Sequence, residues 1–330
     1  MPDLDNIARR VTRAVTEKVF PGCVVGIVRK NSAQTILPFG RFTYDPVSPE
    51  IEQDTIYDVA SITKSIPVAS LAAVFEREGR LKFSDPIVLH IPELHNDFGA
   101  TLKDLLLYRV RGQPMSALPF QTPDEISAHI FERGFAGPPG EIAYTNLPAF
   151  LLGIILERIA GEMLPQIAHK YFFGPLGMDD TTFLPRDASR ITPTEIIGGN
   201  EIRGIVHDES ARIFALSHKA VGHAGLFSNA PDLLSFLNAL LQGRFPGIIE
   251  LAERGLGWQR AQSWFMGRHC SEHAFGKTGF TGTSILMDRR CGIGVVILSN
   301  RTYPKRPQDS FSIYSAVNSL RADIADIVNS

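Results

Sequence analysis

The feature that most constrains this chain is where its strands fall. Two β-branched runs, 23-CVVGIVRK-30 and 35-TILPFGRF-42, lie near one end of the sequence. Two more, 282-GTSILMDRR-290 and 291-CGIGVVILSNR-301, lie near the other. Within each set a short polar turn separates the runs, the pattern of an antiparallel hairpin. The simplest packing joins both sets in one sheet. Helices are then expected at both ends: Ile7, Val11, Ala14 and Val15 recur at helical spacing, and 311-FSIYSAVNSLRADIADIV-328 is apolar on one face. From Ser61 the pattern also turns helical, through 66-IPVASLAAVFEREGRL-81. Residues 82–205 carry further helix-like segments broken by Pro and Gly. The clearest, 147-LPAFLLGIILERIAG-161, is apolar on most faces and is expected to be buried. The expected fold class is α/β (α+β). Residues 1–80 and 206–330 form an antiparallel sheet domain flanked by the terminal helices, and 81–205 form a mainly helical insert. With 330 residues, 44% of them hydrophobic, the chain can bury a core of that size.

One stretch of the last third, 275-FGKTGFTGTS-284, admits two readings. Gly276-Lys277-Thr278 matches the tail of a phosphate-binding loop. That loop needs a glycine five residues before Gly276, and position 271 holds Ser271. The glycines and threonines that follow also make a poor helix start. Read one residue later, Lys277-Thr278-Gly279 can line a serine-acylation site. That reading requires companions, and they are present. In 61-SITK-64 a spacing of three puts Ser61 and Lys64 on one helical face, with Ser61 at the helix start, where unpaired backbone N–H groups favour negative charge. In 144-YTN-146 a Tyr and an Asn precede the apolar helix. Each motif alone is unremarkable: a Ser or Asn helix cap and a solvated Lys account for it. The three together, in this order, are a much rarer coincidence.

On these motifs the chain resembles the serine β-lactamase and penicillin-binding-protein-like superfamily. The resemblance is to the branch that holds class C β-lactamases, D-aminopeptidases, DD-carboxypeptidases and family VIII carboxylesterases. Further matching stretches are 20-FPGCVVGIVRK-30, 56-IYDVASITK-64, 139-PGEIAYTN-146, 172-FFGPLGMDDTTF-183, 207-HDESA-211 and 221-VGHAGLFSNAPDL-233. The resemblance implies an antiparallel sheet domain beside a helical domain, with the active site between them. It implies a serine hydrolase that cleaves a small ester or amide through an acyl-enzyme on Ser61, without metal or organic cofactor. Phe280 then contributes, by analogy, a backbone N–H to the oxyanion hole together with that of Ser61. Gly279 and Gly282 leave the strand open for substrate, and Thr278 lines it. Asn146 hydrogen-bonds the acyl amide or Lys64.

A serine hydroxyl needs a base. Lys64 and Tyr144 are both candidates, and both need a lowered pKa. Lys277 supplies a neighbouring charge. Two unit charges about 4 Å apart repel by roughly 4 kcal/mol at an effective dielectric near 20, a shift of about 3 pKa units. The sequence leaves the choice of base open. Where relatives often read Leu-Leu-Thr-His-Thr-Ser-Gly, this chain has 106-LLYRVRG-112, so Arg109 and Arg111 are either surface arginines or a rim that attracts acidic substrate.

Other functions fit less well. A net charge of −2 does not favour nucleic acid or an anionic membrane as partner. Three dispersed cysteines, Cys23, Cys270 and Cys291, make no zinc spacing. His207, Asp208, Glu209 and His223 lack helical metal-ligand spacing, and both histidines are expected to be structural, bonded to loop backbone. A Ser-His-Asp mechanism through them lacks a G-x-S-x-G elbow. Charged residues break every apolar run of the first twenty, so a cytoplasmic location is expected. The alternatives are a D-amino-acid peptidase or a catalytically idle scaffold on the same fold.

Overall fold

The computed structural model describes residues 2–185, 187–306 and 310–330, with the side chains of 310–314 excepted. Ten strands are formed among them: β1 Gly22–Arg29, β2 Thr35–Gly40, β3 Tyr57–Asp58, β4 Glu195–Ile197, β5 Asn200–Ile202, β6 Phe227–Ser228, β7 Gln259–Arg260, β8 Phe275–Thr278, β9 Ser284–Asp288 and β10 Ile293–Ser299. Six of them make one sheet in the order β2-β1-β10-β9-β8-β7. The two ends of the chain meet in its middle, where β1 runs antiparallel to β10 from Cys23↔Ser299 to Arg29↔Ile293. Both expected hairpins are present, β1 with β2 and β9 with β10.

Alternation along these strands divides the core. Cys23, Val25 and Ile27 of β1 and Ile293, Val295 and Ile297 of β10 point to one face. There they pack on helix α1, Leu4–Thr16, through Ile7, Val11 and Ala14, and on the C-terminal helix through Val317, Leu320, Ile324 and Val328. Asp3 caps α1 by accepting the Asn6 N–H at 2.9 Å. Val24, Val28, Val296 and Leu298 point to the opposite face. They meet Leu233, Leu234 and Leu237 of a helix that the sequence reading did not single out, Ala230–Leu241. Each large aliphatic buried in this way contributes about 1.5–3 kcal/mol. The second core continues without a break into the middle of the chain, where α2, Ser70–Arg77, and α3, Leu147–Ala160, are buried. No helix among the described residues is long and apolar enough to cross a membrane.

The middle of the chain, expected to be mainly helical, also holds one hairpin, β4 with β5. Its Gly198 and Gly199 both adopt positive φ, the conformation such a tight reversal needs. The helix expected from Ser61 is also interrupted. Ala60–Lys64 form a 3₁₀ turn, and Ile66 is extended (φ −116°, ψ 111°) before the α-helix proper begins at Ser70. Ile66 precedes Pro67, whose ring disfavours the helical conformation in the residue before it. Ser61 therefore sits on a short turn, and the dipole of a long helix does not bear on it.

Candidate active site

The 3₁₀ turn eclipses residues three apart, and it brings Lys64 directly onto Ser61. Lys64 Nζ lies 2.8 Å from Ser61 Oγ and donates a second bond, 2.6 Å, to the His223 carbonyl. The turn is held from below. Asp58 is buried and accepts the N–H of Ala60 at 2.8 Å, beside Ser61, while Ala60 adopts a positive φ of 48°. The other oxygen of Asp58 accepts the His207 N–H at 2.8 Å. Burial pushes the Asp58 carboxyl up to about 6. From the β8–β9 turn, Thr281 and Thr283 hydroxyls donate to the carbonyls of Asp58 and Val59. This stitching sets Lys277-Thr278-Gly279 against the Ser61 turn. Gly279 is required by it: a Cβ there would lie 2.1 Å from Thr283 Oγ1 and 2.5 Å from the Val59 carbonyl oxygen. The glycine thus serves packing against the Ser61 turn, which the expectation of an open substrate strand did not include.

Lys277 and Lys64 are 2% and 1% exposed. Burial depresses the Lys64 ammonium to about 8. Lys277 is held well below the ordinary lysine range, first by burial and then by the charge of Lys64. Desolvation comes first for both; at Lys64 the Asp208 carboxylate opposes it, and the repulsion between ammonium groups expected from the sequence contributes at Lys277. The Tyr144 ring lies beside both, with its centroid 5.5 Å from Lys64 Nζ and 4.6 Å from Lys277 Nζ. Lys277 Nζ donates its hydrogen bond to a different phenol, Tyr108, at 3.3 Å. The two phenol rings stand 5.0 Å apart, aligned by the bond from Ala143 N–H to the Tyr108 carbonyl.

Asn146 does not bond Lys64. Its Nδ2 donates to Asp208 at 3.0 Å. Asp208 also lies 3.4 Å from the His223 ring, and Ser210 bridges the two. These bonds drive the Asp208 carboxylate far below its usual range, although burial opposes them. The partners of both histidines are side chains, where loop backbone was expected. His207 Nε2 meets Glu195 at 3.1 Å, and its ring stacks on Phe280 at 5.7 Å. Among the described residues neither imidazole hydrogen-bonds Ser61, so the serine's partner is lysine.

Ser61, Tyr144, Asn146, Thr278, Gly279 and Phe280 all line one cavity of about 410 Å³. Arg109 and Arg111 do not. Both are exposed and face a separate groove with Glu141 and the 136–140 loop.

This arrangement accompanies a match of residues 7–317 to the family model described as Beta-lactamase. The chain belongs to the beta-lactamase family. That membership makes it a serine hydrolase with the β-lactamase/transpeptidase-like fold. The N-acetylmuramyl-L-alanine amidase of Bacillus subtilis (strain 168) is 26% identical to this beta-lactamase-family chain over 76% of it and 68% of the relative. An Escherichia coli (strain K12) protein provisionally assigned as a D-alanyl-D-alanine carboxypeptidase is 27% identical over 76% and 70%. Among solved structures, EstCE1, a hydrolase with promiscuous acyltransferase activity, superposes with a TM-score of 0.77 at 18% identity, covering 99% of this chain and 98% of that one. A β-lactamase/D-alanine carboxypeptidase from Pseudomonas syringae gives 0.77 at 18% identity, covering 98% of each.

Several residues that support or line this family member's cavity escaped the sequence reading. Tyr108 immediately precedes the flagged Arg109, and its positive φ of 55° turns the phenol inward. Asp58 lies inside the quoted 56-IYDVASITK-64. An acid three residues before the candidate serine was the available signal. Gln259 and Arg306 line the cavity itself, and nothing in their local sequence marks them.

Proposed function

We propose that Ser61 is the nucleophile and Lys64 its base, in an acyl-transfer cycle on a small ester or amide. The observation that carries this reading is the 2.8 Å contact between Ser61 Oγ and a lysine that is fully buried and depressed to about 8. Once neutral, Lys64 accepts the serine proton along the same contact. Ser61 Oγ attacks the acyl carbon, and the backbone N–H groups of Ser61 and Phe280 receive the oxyanion. The Lys64 proton then passes to the leaving alcohol or amine. Tyr144, beside both lysines, is placed for that transfer. Water hydrolyses the acyl-enzyme by the reverse route. Lys277 keeps the site electropositive when it is protonated, and the Asn146–Asp208 pair fixes the cavity wall. The names of the relatives, an amidase, a carboxypeptidase and an acyl-transferring hydrolase, support acyl chemistry on small ester or amide substrates.

The test is intact-protein mass spectrometry after exposure to a fluorophosphonate and, in parallel, a penicillin, with peptide mapping. A mapped adduct on Ser61 is expected from the fluorophosphonate. Folded protein that forms no Ser61 adduct with either reagent would return the chain to the idle-scaffold alternative.

A further inference from the structure

One wall of the Ser61 cavity is the edge of β8. Strand β9 pairs with β8 along its whole length, but β7 covers the other edge only at Gln259↔Gly276 and Arg260↔Phe275. Beyond Gly276 the next edge donor is the Thr278 N–H. A strand edge left open in this way is where an extended peptide docks, by building its own backbone into the ladder. Here the edge is already occupied. The Thr278 N–H donates to Gln259 Oε1 at 3.0 Å, and the Thr278 hydroxyl donates to the same oxygen at 3.3 Å. Farther along, the Gly279 N–H is taken by the Thr283 carbonyl at 2.7 Å. The Phe280 carbonyl accepts Arg301 Nε at 2.8 Å.

The bond to Thr278 fixes which way the Gln259 amide points. A backbone N–H can only donate, so the amide oxygen faces Thr278 and the NH₂ group faces away. Among the described residues no acceptor takes those two N–H bonds. Gln259 and Thr278 both line the cavity that holds Ser61.

We propose that Gln259 is a specificity-determining residue of this pocket. It closes the β8 edge to extended peptides and offers its amide NH₂ to a carbonyl oxygen on a small acyl group. The preferred substrate class is thus a small ester whose acyl chain bears a second carbonyl. This inference rests on the Ser61 pocket being the active site.

The experiment compares two p-nitrophenyl esters of matched chain length, the levulinate and the pentanoate, with an N-acetyl dipeptide p-nitroanilide. Gln259→Glu keeps an acceptor for both Thr278 donors and removes the outward NH₂. It is expected to lower the levulinate-to-pentanoate ratio of kcat/KM about tenfold, the size of one lost hydrogen bond. A merely structural Gln259 would leave that ratio unchanged, and an unchanged ratio overturns the recognition role. Gln259→Ala uncovers the Thr278 N–H and is expected to raise the anilide-to-pentanoate ratio about tenfold. If that ratio stays flat, the plug role is overturned. Fluorophosphonate labelling of Ser61 is run on each protein. A wild-type chain that fails to label counts against the active-site reading itself, whereas labelled proteins with flat ratios count against Gln259 alone.

Discussion

Two pairs of cations, Lys64 with Lys277 and Arg109 with Arg111, illustrate how differently the same formal charge behaves in two surroundings. The lysines are buried between the sheet and the helices, and both are depressed from their ordinary range. The arginines stand on one exposed face of the 106–112 segment, with buried Val110 between them. Water screens the arginines, so their charge acts weakly. Removal of water makes the charge of the lysines conditional, and conditional charge is what proton transfer requires. The order of causes at Lys277, burial first and Lys64 second, shows that the cavity wall does more of this than the neighbouring ammonium.

The largest expected effect belongs to the proposed nucleophile, which Lys64 contacts. Ser61→Ala should abolish acyl-enzyme formation and lower ester turnover by a factor on the order of 10⁴ or more, read by adduct mass and kcat/KM. Next is Lys64→Met, with an expected loss of about 10²–10⁴. In the wild type the acid limb of kcat/KM should lie near the depressed value of about 8, since the base must be neutral and activity rises as pH climbs through it. A limb near 10.5 would break the contrast between the two pairs.

Lys64→Met carries a second, opposite expectation. At neutral pH the unfolded chain accepts a proton on Lys64 freely, while the native chain accepts it only against desolvation. Between about 8 and the ordinary value of 10.5 the unfolded state binds more protons, so stability rises with pH across that window. Relieving this at pH 7 should stabilise the fold by an amount on the order of 3 kcal/mol, seen as a higher denaturant midpoint. A lower midpoint would mean that the bonds to Ser61 and His223 outweigh the burial cost. The smallest effect belongs to the arginines. Arg109→Glu with Arg111→Glu should raise KM a few-fold for anionic esters alone, and added salt should erase the difference within the screening length. An equal change for neutral esters would remove the arginines from substrate attraction altogether.

These contrasts track what the sequence could reveal. The hairpins were legible because β-branched runs and short turns are local signals, and the joining of β1 to β10 followed from the need of both to bury their faces. The Ser61–Lys64 contact was legible for the same reason, since a spacing of three is set within one turn. Tyr108 was not. Its approach to Lys277 depends on a backbone conformation that is uncommon for a bulky residue. The Asn146–Asp208 bond joins residues 62 apart, and no local pattern reports it. Gln259 lies on a strand of two residues, too short to leave a period. Arg109 and Arg111 were conspicuous as departures from the resemblance, yet they line a separate groove, while Tyr108 before them and Val110 between them are buried.

The bonds by which Thr281 and Thr283 hold the nucleophile turn span 223 and 224 residues. The two halves of the catalytic apparatus are therefore made far apart in time during synthesis. At about 5–20 residues per second the ribosome needs on the order of ten seconds or more to proceed from one to the other. Until then Lys64 has neither its neighbour nor its low-dielectric walls, so its amine remains an ordinary, protonated one. On the mechanism proposed above, the nascent chain consequently carries a serine that is inert towards acyl groups, and its reactivity awaits the closing of the sheet by the last strands. The long-range pairing that slows folding of such a topology also serves as a check on completeness, because a truncated or misfolded copy has no activated nucleophile.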